Sequence, residues 1–292
     1  MKTICDRLFE GERPLYGISD AEVRDCVFGE GESPLKECRG IAVRKCTFGW
    51  KYPLWYGRGL KVEDCTWEEM ARAGVWYSEG VNVRNAVIKA PKNFRRCRDL
   101  SLADVVFTNA EETLWNCTDV SLANVEVKSG DYLAMNSTGV KVSKLDLNGN
   151  YAFDGCADVE ISDSRLLTKD AFWNCRNTIV RDSYISGEYL GWNSSNLTFI
   201  NCTIESSQGL CYIDNLKMIN CKLVNTTLAF EYSDVTAEIS SDIDSVFNPS
   251  SGTITCGQIG ELIIEHDKVD PSKTTIKAAS ILKQSSKPEW LI

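Results

Sequence analysis

Val23–Phe28 reads VRDCVF, Val43–Phe48 reads VRKCTF and Val62–Trp67 reads VEDCTW. Related stretches begin further along the chain at Val83, Leu102, Leu122, Val142, Ile161, Val180, Phe199 and Met218. Successive stretches start 19 to 21 residues apart, and a repeat of this length indicates a solenoid with one coil per repeat.

The residue pattern inside each repeat is that of strands. Val, Ile or Leu alternates with polar residues, and no amphipathic helical pattern of useful length occurs. Stacked coils of this length have room for short strands and turns, with equivalent residues about 4.8 Å apart. Connections between parallel strands are almost always right-handed. The sequence therefore predicts an all-β fold, a single-stranded right-handed parallel β-helix of about eleven regular coils.

The extent of the repeat divides the chain into three segments. Residues 1–8 are expected to cap the first coil, and residues 9–235 to form the parallel β-helix. Residues 236–292 are expected to form an irregular C-terminal cap and tail, because the repeat loses its register after about Asp234 and an open solenoid end needs cover. The last part, after Asp267, is expected to be a loosely packed tail or a short closing helix.

Composition limits the partners. The 292 residues carry a net charge of −9, which argues against nucleic acid or an anionic membrane as the main partner. No apolar run reaches the about 18 residues that span a bilayer. The N-terminal sequence MKTICDRLFEGERPLYG lacks the apolar core of a secretory signal, so a cytoplasmic location is expected.

The cysteines are predicted to be reduced and internal. There are 13, an odd number, without any C-x-x-C pair, so neither a disulfide framework nor a zinc cage is indicated. Most fall into two columns of the stacked coils at small inward positions. The first column contains Cys26, Cys46, Cys65, Cys202 and Cys221, and the second contains Cys38, Cys97, Cys117, Cys156 and Cys175. The alternative for these residues is a reactive thiol or a metal ligand.

A polar column is predicted to form corners of the coils. It contains Asp25, Lys45, Asp64, Asn85, Asp104, Asn124, Lys144, Asp163, Asp182, Asn201 and Asn220. Asp and Asn tolerate left-handed backbone and bond to nearby amides, as a corner requires. A catalytic role for these aspartates is the alternative.

The second half of each coil predicts a tryptophan-rich outer face. Phrases such as EETLWNC (Glu111–Cys117) and KDAFWNC (Lys169–Cys175) contain an inward apolar anchor, and the next residue should point outward. The predicted outward column is Lys36, Trp55, Trp76, Arg95, Trp115, Ala134, Asp154, Trp173, Gly191, Cys211 and Ala229. Large apolar side chains on a solvent-facing column indicate a binding surface.

Carboxylates and cations flank this column, as a sugar-binding groove requires. Aromatic rings stack on pyranose rings, while charged side chains bond to hydroxyl or carboxylate groups. The candidate substrate-binding residues are Trp55, Trp76, Lys92, Arg95, Arg96, Trp115, Trp173, Glu188 and Trp192. The candidate catalytic residues are Glu112, Asp131, Asp154 and Asp170. The alternative is that a loop or a dimer interface covers the tryptophans.

These phrases resemble a known family. GESPLKE, WKYPLWY, ARAGVWY, APKNFRR, NAEETLWNC, GDYLAMNS, KDAFWNC, GEYLGWNS, QGLCYI and LAFEYS are similar to phrases of an uncharacterised bacterial family, a domain of unknown function. It belongs to the pectin-lyase-like, right-handed β-helix class, and the resemblance covers roughly Phe9 to Ile264. It implies the fold and brings no activity or catalytic residues.

Whether the chain is an enzyme stays open. Polysaccharide hydrolases of the class combine aspartates with His-Gly and Arg-x-Lys segments, whereas this chain has one histidine, His266, and no Arg-x-Lys. A glycoside hydrolase could still use a carboxylate pair about 5–9.5 Å apart. A polysaccharide lyase would need a base beside a calcium ion, and nothing in the sequence specifies one.

Two classes of function therefore remain. One is a cytosolic carbohydrate-binding or carbohydrate-active protein, with an oligosaccharide or another small polar substrate as its partner. The other is a non-catalytic scaffold whose aromatic face meets another protein or a second copy of the chain, as a homo-oligomer. No cofactor and no metal are implied, because no phosphate loop, nucleophile elbow or zinc motif is present.

Overall fold

The computed structural model describes residues 2–287, and the chain divides into two compact units, Met1–Gly149 and Asn150–Ile292. Paired strands in each unit run parallel, and the described residues make about fifteen turns of an all-β solenoid. The predicted right-handed parallel β-helix is confirmed, and it has more coils than the about eleven regular ones that the repeat indicated.

The first unit stacks its strands in the register that the repeat predicts. Val23 pairs with Val43, and Val43 pairs with Val62. The strands are β1 (Lys2–Cys5), β2 (Leu8–Phe9), β3 (Ala21–Arg24), β4 (Val27–Phe28), β5 (Ala42–Arg44), β6 (Thr47–Phe48), β7 (Arg58–Glu63), β8 (Thr66–Trp67), β9 (Glu79–Ile88), β10 (Arg98–Phe107), β11 (Thr118–Val127) and β12 (Thr138–Asn148).

The second unit follows the same plan. Val180 pairs with Ile161 on one side and with Phe199 on the other. The strands are β13 (Ala157–Ser162), β14 (Arg165–Leu167), β15 (Arg176–Arg181), β16 (Tyr184–Glu188), β17 (Ser195–Ile200), β18 (Thr203–Ser207), β19 (Asp214–Thr227), β20 (Asp234–Ile239), β21 (Ile243–Phe247), β22 (Ser251–Ile263) and β23 (Thr274–Ser285).

The C-terminal segment differs from the irregular cap expected over residues 236–292. β22 pairs in parallel with β20, and β23 pairs in parallel with β22, so the described part continues the stack. Thr236 stacks on Thr253 and Thr253 on Thr275, so these coils are 17 and 22 residues long. Because these coils differ in length, the sequence loses its regular period here, although backbone pairing between successive coils continues. The expected closing helix is a 3₁₀ turn, Pro271–Lys273, and the tail after residue 287 lies outside the described residues.

The N-terminal segment, residues 1–8, also differs from a separate cap. β1 pairs with β3 and β2 pairs with β4, so its described residues are part of the first coil. Ile4 stacks on Val23, while Arg7 takes the position of Cys26 and is exposed. Because a charged residue stands at the cysteine position, the sequence of this coil does not match the repeat.

Both predicted cysteine columns lie in the core. All 13 cysteines are free, and every member of the two columns is buried. The Cys117 thiol donates to the carbonyl of Phe94 at 3.1 Å, and in the next coil the Ser137 hydroxyl donates to the carbonyl of Leu114 at 2.7 Å. Burial raises the pKa of the Cys38 thiol to about 12. The columns are therefore structural ladders of buried thiols and hydroxyls, as the sequence predicted.

The polar column forms corners, as predicted. Each of its eleven members has a left-handed backbone, with φ between 48° and 56°. Neighbouring side chains bond to each other along the column: the Asn124 amide donates to Asp104 at 2.8 Å, and the Asn201 amide donates to Asp182 at 2.9 Å. Short polar side chains both relieve the backbone strain and link successive coils.

Replacing a ladder thiol by a charge should unfold the solenoid readily. Cys117→Asp places an unpaired carboxyl among apolar side chains and should lower the free energy of unfolding by at least about 3 kcal/mol. Cys117→Ser is the matched control, because Ser137 shows that a hydroxyl fits the ladder in the next coil. Urea unfolding would measure both, and equal midpoints for the two variants would contradict the inward placement.

The corner column should tolerate amides and reject branched side chains. Asp104→Asn keeps a side chain suited to φ 56° and should cost less than about 1 kcal/mol. Asp104→Val puts a β-branched residue in the left-handed region and should cost about 1–2 kcal/mol more. A thermal melt in which the valine variant matches the asparagine variant would contradict the corner assignment.

Candidate functional site

The predicted outward column of the first unit is present. Each member follows a fully buried anchor and is itself half-buried. The members are Lys36, Trp55, Trp76, Arg95 and Trp115, and their anchors are Leu35, Leu54, Val75, Phe94 and Leu114. A strand that buries an anchor necessarily turns the next side chain outward.

The indoles of this column are fixed on the following coil. The Nε1–H groups of Trp55, Trp76 and Trp115 donate to the carbonyls of Ala73 at 2.6 Å, Lys92 at 2.9 Å and Tyr132 at 2.6 Å. The Trp55 and Trp76 rings stack with centroids 5.1 Å apart and planes within 6°. Because stacked rings touch at about 3.5 Å, this distance implies a sideways offset of about 3.7 Å. The offset leaves part of each ring face uncovered.

Arg95 extends the stack between two indoles. Its Cζ lies 5.0 Å from the centroid of the Trp76 ring and 4.3 Å from that of Trp115, within cation–π range. Glu112 accepts a hydrogen bond from Arg95 Nη2, and its Oε2 lies 3.2 Å from Lys92 Nζ. Glu112 therefore forms ion pairs with Arg95 and Lys92 and positions Arg95.

A second row of rings lies beside the tryptophans. Tyr56 and Tyr77 stack with centroids 5.0 Å apart and planes within 7°. The Trp55 and Tyr56 planes meet at 76°, and the Trp76 and Tyr77 planes meet at 74°. The two rows therefore form two walls that stand nearly perpendicular to each other.

A depression follows these walls into the next coils. It has a volume of about 300 Å³ and is lined by Trp76, Tyr77, Arg95, Arg96, Trp115 and Asn116. We call the surface formed by these six residues together with Trp55 and Tyr56 the aromatic groove. Tyr56, Tyr77 and Asn116 were not predicted to line the groove, although the repeated Trp-Tyr and Trp-Asn pairs in the sequence contained the signal.

The second unit has an aromatic column of its own. Trp173 lies 5.9 Å from Trp192, Trp192 lies 4.3 Å from Tyr212, and Tyr212 lies 5.3 Å from Tyr232. The Trp173 Nε1–H donates to the carbonyl of Tyr189 at 2.8 Å. Trp173 and Trp192 are thus adjacent members of one stack, and the tyrosines extend it.

Three coils have a different register from the one expected. The anchors are Ala134, Gly191 and Phe230, and the residues that follow them are Met135, Trp192 and Glu231, so the predicted outward residues Ala134, Gly191 and Ala229 are wrong. Met135 and Trp192 are half-buried, whereas Glu231 is buried. Each of these coils has two apolar or small residues in succession, so the sequence alone does not show which of the two is the anchor. Cys211 has the expected register but is fully buried.

The register change also moves two of the predicted acidic residues. The left-handed position two before the anchor holds Tyr132 and Tyr189, so Asp131 and Glu188 lie one position earlier. Asp131 is exposed, and Glu188 accepts a hydrogen bond from Lys169 at 2.9 Å. Glu188 is therefore an ion-paired residue beside the second aromatic column.

The remaining two candidate catalytic residues lie in different surroundings. Asp154 accepts a hydrogen bond from the Asn174 amide at 2.9 Å, at the start of an amide ladder. Asp170 is only 9% exposed, and burial raises the pKa of its carboxyl, with Glu188 adding to the effect and a hydrogen bond from Tyr151 opposing it. Among the four candidates, Asp170 has the setting of a proton donor.

The described residues show no metal centre and no spanning helix. No group of three or more His, Cys, Asp or Glu side chains within residues 2–287 is arranged to hold a metal ion. Over the same range, no helix is long and apolar enough to cross a membrane.

The chain belongs to the family DUF3737, described as proteins of unknown function, whose model matches residues 2–277. This confirms the resemblance to an uncharacterised family of the pectin-lyase-like, right-handed β-helix class. No curated protein matches the sequence.

Solved structures with similar folds differ strongly in sequence. PfbA, a surface adhesin of Streptococcus pneumoniae, is 9% identical with a TM-score of 0.42, over 97% of this chain and 81% of that chain. The tailspike protein of E. coli bacteriophage HK620, in complex with a hexasaccharide, is 10% identical with a TM-score of 0.40, over 96% of this chain and 71% of that chain. The A-module of mannuronan C-5 epimerase AlgE4 from Azotobacter vinelandii is 10% identical with a TM-score of 0.28, over 98% of this chain and 89% of that chain. These values are too low to transfer a residue or an activity.

The raised pKa of Asp170 gives a pH-dependent stability with a defined sign. An aspartate whose pKa is raised by folding stabilises the native state below its ordinary pKa of 3.8 and loses that contribution as pH rises through the folded value. Asp170→Asn, which is neutral throughout, should therefore gain stability relative to the wild type as pH rises from below 3.8. Unfolding free energies from urea titrations at several pH values would measure this difference, and a difference independent of pH would contradict it.

Proposed function

We propose that the protein binds carbohydrate in the aromatic groove. The observation that supports this is the meeting of two offset aromatic rows at 74–76° beside a depression of about 300 Å³ that contains two arginines. Partly uncovered ring faces suit the apolar faces of pyranose rings, and guanidinium and amide groups suit the polar edges of sugars.

The length of the groove suits an extended ligand. Trp55 and Trp115 lie three coils apart, which at about 4.8 Å per coil gives about 14 Å. Equivalent positions repeat along this length, so consecutive sugar units would meet similar surroundings. We therefore propose an oligosaccharide as the ligand in preference to a single sugar.

Binding, without bond cleavage, is the activity that we assign to the groove. The six described residues that line its depression include no carboxylate, and Glu112 beside them is held by Arg95 and Lys92. A glycosidase needs one carboxyl group that donates a proton and a second that acts as a base or nucleophile. The free cysteines further support placing this binding function in the cytosol, where thiols stay reduced.

A protein partner is the second candidate function. Tyr56 is 45% exposed and Tyr77 is 37% exposed, beside the indoles and arginines of the groove. Tyrosine, tryptophan and arginine are the residues that dominate protein interfaces. A second copy of the chain is the simplest partner of this kind, because most soluble oligomers are symmetric assemblies of one chain.

Removing one groove tyrosine should weaken glycan binding with little effect on stability. Glycan-array screening of the wild type would identify a ligand, and calorimetry would then compare Tyr77→Ala with Tyr16→Ala. Tyr77→Ala should lose about 1–3 kcal/mol of binding free energy because it removes one wall of the depression. Tyr16 is an exposed tyrosine outside the groove, so its variant should bind like the wild type.

Trp115→Ala tests the groove at a second residue. It should weaken glycan binding and also lower the melting temperature, because the indole bonds to the Tyr132 carbonyl and stacks on Arg95. If the wild type binds no glycan and Tyr77→Ala converts a dimer into a monomer in sizing chromatography, the groove is a protein interface and the carbohydrate proposal fails.

A further inference from the structure

Arg96 is the second arginine that lines the aromatic groove. It is exposed, it lines the depression of the aromatic groove, and its Cζ lies 5.7 Å from the centroid of the Tyr77 ring. Within residues 2–287 no carboxylate pairs with it, whereas the neighbouring Arg95 is paired with Glu112. The left-handed backbone at Arg96, with φ 51°, sets its side chain on the second row of the groove, next to the tryptophan row.

Asn116 is the next residue of the same row, and its amide is also unused. Within the described residues the Asn116 side chain makes no hydrogen bond. Asparagines in the corresponding row of the second unit behave differently. The Asn174 amide donates to Asp154 at 2.9 Å, and the Asn193 amide donates to Asn174 at 2.8 Å. The Asn116 amide therefore keeps the hydrogen-bond donors that Asn174 and Asn193 use to link successive coils of the second unit.

The charge around these two residues is locally positive. Glu112 pairs with two of the three cations here, Lys92 and Arg95, and the charge of Arg96 is left over, although the whole chain has a net charge of −9. Arg95 is held in place by two indoles and Glu112, so it contributes a fixed charge, while Arg96 has its guanidinium fork available. A planar fork beside an amide donor is suited to an oxyanion, which accepts two parallel hydrogen bonds from arginine.

We propose that Arg96 and Asn116 bind an oxyanion substituent of the ligand in the aromatic groove, a carboxylate or a sulfate group. This assignment rests on the proposed carbohydrate-binding function and specifies the chemical class of the glycan as acidic. The indole and tyrosine rings contact the sugar ring, and the oxyanion accepts hydrogen bonds from the Arg96 guanidinium and the Asn116 amide. No proton or covalent bond is transferred.

Binding of acidic glycans and of their neutral counterparts tests this inference. Uronate oligosaccharides and their carboxyl-reduced forms make one pair, and sulfated oligosaccharides and their desulfated forms make the other. The wild type should prefer one acidic form over its neutral counterpart by at least about tenfold, the effect of one charge-assisted hydrogen-bonded contact. The preference should weaken with added salt.

Two arginine variants with the same change in net charge separate a specific contact from general electrostatics. Arg96→Gln should bring the acidic and neutral forms to nearly equal affinity, because it should weaken binding of the acidic form much more than binding of the neutral form. Arg98→Gln, an exposed arginine on β10 outside the depression, should keep the preference of the wild type. The pair that shows the preference identifies the oxyanion as carboxylate or sulfate.

Each other outcome overturns a defined claim. If the wild type binds neutral and acidic glycans equally, the oxyanion inference fails and the carbohydrate proposal stands. If Arg98→Gln removes the preference as strongly as Arg96→Gln, the effect is a general charge effect and the inference fails. If no glycan of either kind binds and inorganic sulfate leaves the tryptophan fluorescence unchanged, both the inference and the proposed function fail.

Discussion

Hydrogen bonding between the backbones of successive coils is the constraint on which the other features depend. In each unit parallel pairing places every side chain about 4.8 Å from its equivalent in the next coil, so each position must accept a near copy of itself as a neighbour. Three kinds of side chain meet this requirement in different ways. Thiols and hydroxyls bond to a carbonyl, amides bond to one another, and aromatic rings stack. The aromatic groove arises from the third of these solutions, on the outer side of the same pairing.

The repeat allowed the core to be predicted because inward positions are nearly periodic. Cys26, Cys46 and Cys65 recur at intervals that only a stacked coil explains, and the corner residues recur beside them. The ends of the repeat could not be predicted in the same way. Arg7 replaces a core cysteine in the first coil, and the coils after Thr236 change length, so pairing continues where the sequence period stops.

The outward residues were only partly predictable, since alternation identifies a face but not the neighbours across it. Trp55, Trp76, Arg95 and Trp115 follow from their anchors, whereas the sandwich of Arg95 between two indoles depends on side-chain rotamers that no periodicity encodes. The second row was missed because Tyr56 and Tyr77 have left-handed backbones, so two successive residues both face outward at each corner. Two successive buried residues in Leu133–Ala134 and Leu190–Gly191 shifted the register for a related reason.

The offset stack of Trp55, Trp76, Arg95 and Trp115 also has an evolutionary consequence. Because each coil contacts only its neighbours, a whole coil can be duplicated or lost while every remaining residue keeps an equivalent partner. Loss of the coil that carries Trp76 would bring Trp55 against Arg95 and restore a cation between two indoles. The length of the aromatic groove therefore changes in whole steps of about 4.8 Å, while its cross-section stays constant. In such a protein, the length of the aromatic groove can evolve by gene-segment duplication, independently of the side chains that each coil contributes.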